Sequence, residues 1–192
     1  MKLLNIEKLL KKREYYQKNK GLIPELTKVS YEQAFEIEYV HNSTAIEGNT
    51  LSLIETKLVL EDKISVGGKN LWEIYEQVNY KKAFHYIKDC VNKKLSLNKK
   101  IIKDIYTMLI KNIIDDEVHQ ITDTQPIFSK TNEICKQIKN FYIGSMSKDK
   151  IFNSIEFAAR THAEVIKNRY MAGLLINYQL MSNKFFPISI AK

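Results

Sequence analysis

Long stretches of this sequence contain no residue that would break a helix. Only six glycines and three prolines are spread over 192 residues, whereas strand-rich folds use more of both in their turns. Apolar residues recur at the spacing of an amphipathic helix, most extensively from Leu71 to about Asn92. We therefore predict an all-α protein of seven or eight helices, forming a single domain over residues 1–192.

Local signals predict several helix ends. Gly21 and Pro24 interrupt the first helical stretch, so the next helix is expected to begin near Tyr31. Gly48 is its expected end, because glycine accepts the left-handed backbone that often follows a helix.

Two further helix starts are predicted from capping residues. Ser52 and Glu55 have the spacing of a capping box, and Ser96 is the expected cap of a later helix. Residues 112–130 look irregular. The inward-facing side chains of the later helix are expected to be Ile101, Ile102, Ile105, Tyr106 and Leu109, and Tyr75 and Phe157 are also expected in the core.

The chain is basic, with a formal net charge of +8. Such a charge suits nucleotides, nucleic acids or acidic proteins as partners. The lysines occur mostly as scattered pairs, which is typical of solvated helix faces. A helical nucleic-acid binder stays open as an alternative, but nothing resembles a recognition helix, so nucleic acid is not the expected partner.

Cysteine, histidine and hydropathy patterns narrow the class of protein further. Cys90 and Cys135 have no CxxC spacing and are expected to be small buried residues in a reducing compartment. The four histidines lack HExxH or HxH spacing, so we expect no metal site built on them. With no long apolar run and no signal-peptide core, a cytoplasmic protein without membrane contact is expected.

One segment carries information about function. Residues 42–53 read NSTAIEGNTLSL, and a helical stretch follows from Gly68 to Ala83. The pattern Ser/Thr-x-x-x-Glu-Gly/Asn is met by Ser43, Glu47 and Gly48. This string resembles Fic-domain proteins (filamentation induced by cAMP) in which an inhibitory helix precedes the catalytic core. The resemblance implies an inhibitory helix at about residues 31–48.

A second segment resembles the same family near the C-terminus. Residues 157–166, FAARTHAEVI, and 174–181, LLINYQLM, resemble the helices at about 150–183 that flank the Fic catalytic loop. Between them the family has His-Pro-Phe-x-Asp/Glu-Gly-Asn-Gly-Arg-x-x-Arg. Here residues 167–173 read KNRYMAG, without the histidine, the acidic residue or the Gly-Asn-Gly stretch.

The missing residues have defined roles in the family. The histidine is the general base for a target hydroxyl, the acidic residue holds Mg²⁺, and the glycine-rich backbone surrounds the phosphates. No catalytic residue and no metal ligand can therefore be identified in this chain.

Asn168 and Arg169 are candidate nucleotide-binding remnants of the loop, although their register is open. Counting back from Leu174 places Tyr170 at the first motif arginine and Gly173 at the second, whereas a gap just before Arg169 would make Arg169 the first motif arginine. His162 is expected to be a packed helix residue without a catalytic role.

The family resemblance implies transfer of AMP from ATP to a Ser, Thr or Tyr hydroxyl of a protein, with Mg²⁺ as cofactor. Glu47 would pair with the second motif arginine and so block the γ-phosphate position, with Ser43 one turn earlier supporting it. A small β-hairpin flap is also expected near residues 115–122, where Asp115–Gln120 is too short to show it.

We interpret the short loops as incomplete, so that the polypeptide has further residues between about 166 and 170 and near 115–122 and is an autoinhibited adenylyltransferase. The alternative is that the loop is truly absent, and that the protein is a non-catalytic Fic-like binding or regulatory module. Homo-oligomerisation stays open in both.

Overall fold

A computed structural model of the chain describes residues 6–113 and 169–190. Within these ranges the protein is helical and contains no strand, which confirms the predicted all-α class. The α-helices of the described ranges are α1 (Ile6–Asn19), α2 (Glu25–Ile46), α3 (Leu53–Lys57), α4 (Leu71–Asn92), α5 (Lys99–Ile110) and α6 (Arg169–Ser182). A 3-10 turn, Lys20–Leu22, joins α1 to α2, and a π-helical turn, Leu58–Asp62, continues α3.

Several predictions fall outside the described residues. They concern the flap near residues 115–122, the helix that includes residues 157–166, and the side chains of Cys135, Phe157 and His162.

Helix α4 is the central element and has the bounds predicted from its apolar periodicity. It packs against α2, α5, α6 and the π-helical turn. Tyr80, Phe84 and Ile87 follow one another at intervals of four and three residues, Ala83 lies beside Phe84 in the sequence, and all four are almost fully buried. This spacing gives α4 one continuous apolar stripe, against which the neighbouring helices form the core.

The other side of the core comes mainly from α5 and α6. Four of the five residues predicted to face inward on α5 are buried, and Tyr106 packs partly buried against the core. Tyr75 on α4 is half-buried. The fully buried residues of α6 include Met171, Leu174 and Leu175.

Helix α2 begins earlier than predicted, at Glu25 instead of near Tyr31. Pro24 directly precedes the first residue of α2, and the φ of Pro24 is −56°. The Pro24 carbonyl accepts a hydrogen bond from the Lys28 N–H at 3.2 Å. Proline is compatible with a helix start because its fixed φ suits the first turn and its missing N–H is not needed there. Pro24 therefore begins α2 where we had expected it to delay the helix.

The capping prediction for α3 is confirmed. Glu55 N–H donates to Ser52 Oγ at 3.2 Å, and Ser52 N–H donates to Glu55 Oε2 at 2.7 Å. The prediction for α5 is wrong: its cap is Asn98, whose Oδ1 accepts from the Ile101 N–H at 3.1 Å. Ser96 lies two residues too early, and only its carbonyl takes part, accepting from Asn98 Nδ2.

Two further expectations can be compared with the described residues. Cys90 is a free thiol and is buried in the core, as predicted. Among the described residues no helix combines the length and apolar character needed to cross a membrane.

Candidate functional site

The segment after α2 is held against α4 by buried polar side chains. Gln77 Nε2 donates to Thr44 Oγ1 at 2.8 Å and to Asn49 Oδ1 at 3.1 Å. Asn49 Nδ2 donates to the Glu73 carbonyl at 2.9 Å. Thr44, Asn49, Glu73 and Gln77 are all less than a tenth exposed. Buried polar groups of this kind are stable only when paired, so these contacts fix where α2 ends.

Glu73 completes this polar cluster. Its Oε1 accepts from the N–H and the hydroxyl of Thr50 at 2.8 and 2.7 Å, and its Oε2 accepts from the Asn70 N–H at 3.1 Å. Burial acts to raise the pKa of Glu73, but these hydrogen bonds and the nearby Lys69 charge lower it overall from its ordinary value of 4.5. The charged carboxylate is therefore the form that holds Thr50 against α4.

The two predicted inhibitory residues lie one helical turn apart at the end of α2. Ser43 is half-buried and Glu47 is exposed. Glu47 follows the last residue of the helix, and its N–H donates to the Thr44 carbonyl at 3.0 Å. Gly48 then turns the chain with a φ of +108°, a backbone conformation that glycine adopts without steric cost. The end of the helix thus sets the position of Glu47.

Ser43 and Glu47 line a cavity of about 250 Å³ between α2, α4 and α6. Its wall also includes the extended chain that follows α6. The lining residues are Tyr39, Ser43, Ile46, Glu47, Tyr80, Gly173, Ile176, Asn177, Ile188 and Ile190. We refer to it as the Glu47 cavity.

Asn177 fixes the far wall of the Glu47 cavity. Its side chain donates to the Ile188 carbonyl at 3.0 Å and accepts from the Ile188 N–H at 2.8 Å. One residue further on, Ser189 Oγ accepts from Asn42 Nδ2 at 3.0 Å. The chain after α6 is thereby tied both to α6 and to the end of α2.

Two tyrosine hydroxyls and a glycine form the floor of the cavity. Tyr39 Oη and Tyr80 Oη share a hydrogen bond of 3.1 Å, and both residues are almost fully buried. Burial raises the pKa of Tyr39 to about 12, against opposing hydrogen bonds from Tyr80, Asn177 and Ser43. A Cβ atom on Gly173 would lie 3.1 Å from Tyr80 Oη and 3.7 Å from Tyr39 Oη. Any side chain at position 173 would therefore press on the tyrosine pair.

The structure brings two of the predicted site residues, Ser43 and Glu47, into one cavity with Gly173. Counting back from Leu174 puts Gly173 at the second motif arginine. Asn168 lies outside the described residues. Arg169 is the first residue of α6.

The residues that the structure describes do not supply a ligand set for the Mg²⁺ that the family resemblance implies. No group of three or more His, Cys, Asp or Glu side chains suited to a metal occurs within residues 6–113 and 169–190. Among the described residues, Glu47 is the one carboxylate lining the cavity, and residues 167–173 contain no acidic residue.

The tyrosine pair and the polar stripe of α4 were not foreseen. Glu73 and Gln77 continue, at four-residue spacing, the line that leads to Tyr80 and Phe84. Polar residues on an otherwise apolar stripe were the available signal. The partner of Tyr80, which is Tyr39, comes from a distant helix and left no comparable pattern in the sequence.

Comparison of the sequence with curated proteins identifies relatives of modest identity. The chain is 29% identical over 167 residues to protein adenylyltransferase Fic of Nematostella vectensis and 26% identical over 170 residues to the protein of that name from Aedes aegypti. The matches cover 80% and 81% of this chain but 39% and 34% of those proteins. The chain thus spans less than half the length of these relatives. No family model matches it.

Solved structures share the fold. A Fic domain containing signaling protein from Bacteroides thetaiotaomicron matches 97% of this chain and 76% of its own, with a TM-score of 0.76 and 20% identity. Fic-1 from C. elegans also has a TM-score of 0.76, at 19% identity, over 97% of this chain and 58% of that one. The sequence relatives and the solved structures together support a Fic-domain family for this protein.

Proposed function

We propose that this protein is a Fic-fold binding or regulatory module that does not transfer AMP. The observation that carries the proposal is that Gly173 lies directly against the buried hydroxyls of Tyr80 and Tyr39 in the Glu47 cavity. In the register counted back from Leu174, glycine stands where the family has its second motif arginine, and a Cβ there would already approach Tyr80 Oη to 3.1 Å. In that register the γ-phosphate contact of the family has no side chain to make it.

The sequence on either side of this position supports the same proposal. Proton removal from a target hydroxyl needs a base within hydrogen-bond reach, and residues 167–173 contain neither a histidine nor a carboxylate. Phosphate binding at a helix start relies on backbone N–H groups that glycine-rich loops bring close. Residues 167–172 contain no glycine.

The second candidate is the autoinhibited protein adenylyltransferase. Two observations favour it: the names of the sequence relatives, and the position of Ser43 and Glu47 opposite the first turns of α6. In this candidate ATP and Mg²⁺ are used to modify a protein Ser, Thr or Tyr, and Glu47 keeps the basal rate low. Asn168 and Arg169 would then contact the nucleotide.

Labelling with ATP that carries a radioactive α-phosphate separates the two candidates. Wild type and Glu47→Gly are incubated with the labelled ATP, Mg²⁺ and a cell lysate, and acid-stable label on protein is counted. The binding-module proposal predicts no label above heat-treated protein for either chain. Label that rises with Glu47→Gly would establish the adenylyltransferase and refute our proposal.

A further inference from the structure

A second concave surface lies apart from the Glu47 cavity, and the described residues that line the two are all different. This groove, of about 430 Å³, runs between α1, the first half of α2, the middle of α4 and the chain after α6. Aromatic rings from all four of these segments line it: Tyr16, Tyr31, Phe35, Phe84 and Phe186. We call it the α1–α2 groove.

The aromatic side chains of the groove are packed against one another and so form a fixed surface. Tyr16 and Phe186 meet edge to face with ring centroids 4.4 Å apart. Phe35 and Phe84 lie 6.4 Å apart with their planes tilted by 48°. Preformed, largely apolar concave surfaces of this kind are where proteins accommodate apolar anchor groups of a partner.

Apolar side chains continue outward from the groove onto the free side of α2. Leu22 and Leu26 are 81% and 82% exposed, and Tyr31, which also lines the groove, is 64% exposed. Val29, one turn after Leu26, is 43% exposed. Clustered exposed residues of this size are unusual on a surface that contacts only water.

The flanking charge is strongly positive. From Lys8 to Lys20 the chain has six basic residues and one acidic residue, a net charge of +5. The five lysines of this stretch form none of the ion pairs found between described residues. The two lysines of the groove wall differ, because Lys28 pairs with Glu25 at 3.2 Å and Lys88 with Glu32 at 3.0 Å. The attraction for an anion therefore comes from α1 and the 3-10 turn.

We propose that the α1–α2 groove binds an acidic amphipathic segment of a partner protein, with its large apolar side chains in the groove and its carboxylates against α1. A second copy of this chain would bring two α1 helices together, each with five basic and two acidic residues and so a net charge of +3, which disfavours self-association through this surface. An acidic partner gains both the apolar contact and the charge complementarity. The inference names a partner class for the proposed binding function, but it uses none of the residues of the Glu47 cavity.

The probe is a fluorescein-labelled helical peptide of about 16 residues, roughly four turns, with Leu and Phe on one face and Glu on the other. Its control replaces every Glu by Lys. We expect the acidic peptide to raise the fluorescence anisotropy on binding and the basic peptide to bind at least about tenfold more weakly, a difference of about 1.4 kcal/mol. Raising the salt concentration from about 0.1 M to 1 M shortens the screening length from about 10 Å to 3 Å and should therefore weaken binding of the acidic peptide.

Exposed substitutions test the surface without disturbing the core. Leu26→Glu and Lys20→Glu are each expected to lower the affinity for the acidic peptide about tenfold. The matched controls are Ile54→Glu, on α3 and 74% exposed, and Lys99→Glu, on α5; both should bind as wild type does. The proposal would be overturned if the acidic and basic peptides bound equally well. It would also be overturned if the control variants lost as much affinity for the acidic peptide as Leu26→Glu and Lys20→Glu do.

Two further results have defined meanings. Leu26-dependent binding to phosphatidylserine vesicles without peptide binding would also overturn the proposal, in favour of a membrane partner. Because the peptide assay contains no nucleotide, its failure leaves the ATP labelling result unaffected, and the two proposals can fail separately.

Discussion

At the scale of single residues, the most informative side chain is Glu73, a buried carboxylate that holds the NSTAIEGNTLSL segment. It accepts hydrogen bonds from Thr50 and Asn70, and its backbone carbonyl accepts from Asn49. Because its pKa is lowered in the folded protein, the charged form stabilises the fold. This contribution is present above the ordinary pKa of 4.5 and is lost as the pH falls through the folded value.

Glu73→Gln should therefore destabilise the protein at neutral pH and make its stability less sensitive to acid. We expect a loss of about 1.5–3 kcal/mol, the usual range for hydrogen bonds to a charged group. Melting temperatures between pH 7 and pH 3 provide the measurement. Glu32→Gln, at a carboxylate that is 65% exposed, is the control and should change little. A variant that melts like wild type at pH 7 would contradict the role given to Glu73.

A second residue-scale prediction concerns the cap of α5. Asn98→Ala removes the acceptor of the Ile101 N–H and should cost about 1 kcal/mol. Ser96→Ala keeps the carbonyl that contacts Asn98 and should have almost no effect. Urea unfolding of the two variants measures the difference. The reverse order would restore the original prediction that Ser96 is the cap.

At the scale of elements, long regular patterns were predictable and contacts between distant segments were not. Helix α4 has 22 residues, which is long enough for its apolar spacing to specify both ends. The start of α3 is specified by a signal only four residues long, the capping box of Ser52 and Glu55. The start of α2 was missed because Pro24 can either begin or interrupt a helix. Ser43 and Glu47 were predicted on one face, but the cavity they line also needs Tyr80 and residues of α6.

Helix α6 meets the tyrosine pair at Gly173, which allows an element-scale prediction. Gly173→Arg should lower the free energy of unfolding by about 1–3 kcal/mol through overpacking, because the new Cβ would lie 3.1 Å from Tyr80 Oη. Gly67→Arg is the matched control, since no atom of the described residues lies within 4 Å of a Cβ at that position. Equilibrium unfolding in urea compares them. Equal stability of both variants would mean that the Glu47 cavity accepts an arginine from α6 as the family requires.

At the scale of the whole molecule, the chain combines the fold of Fic proteins with a different set of residues at the motif. The all-α class and the family resemblance were predictable from the sequence, because they depend on local patterns that extend over many residues. The function was less predictable, since it depends on the seven residues from Lys167 to Gly173. The proposed binding at the α1–α2 groove and the proposed lack of AMP transfer are compatible, because the two surfaces have no described residue in common.

The most direct measurement of this account is the intact mass of purified Glu47→Gly after incubation with ATP and Mg²⁺. This substitution removes the carboxylate that would restrain self-modification, so it gives AMP transfer its best opportunity. We predict a mass unchanged from the same protein incubated without ATP. A shift by the mass of one AMP, absent when ATP is replaced by a non-hydrolysable α,β analogue, would show that the chain is an adenylyltransferase and would contradict the account.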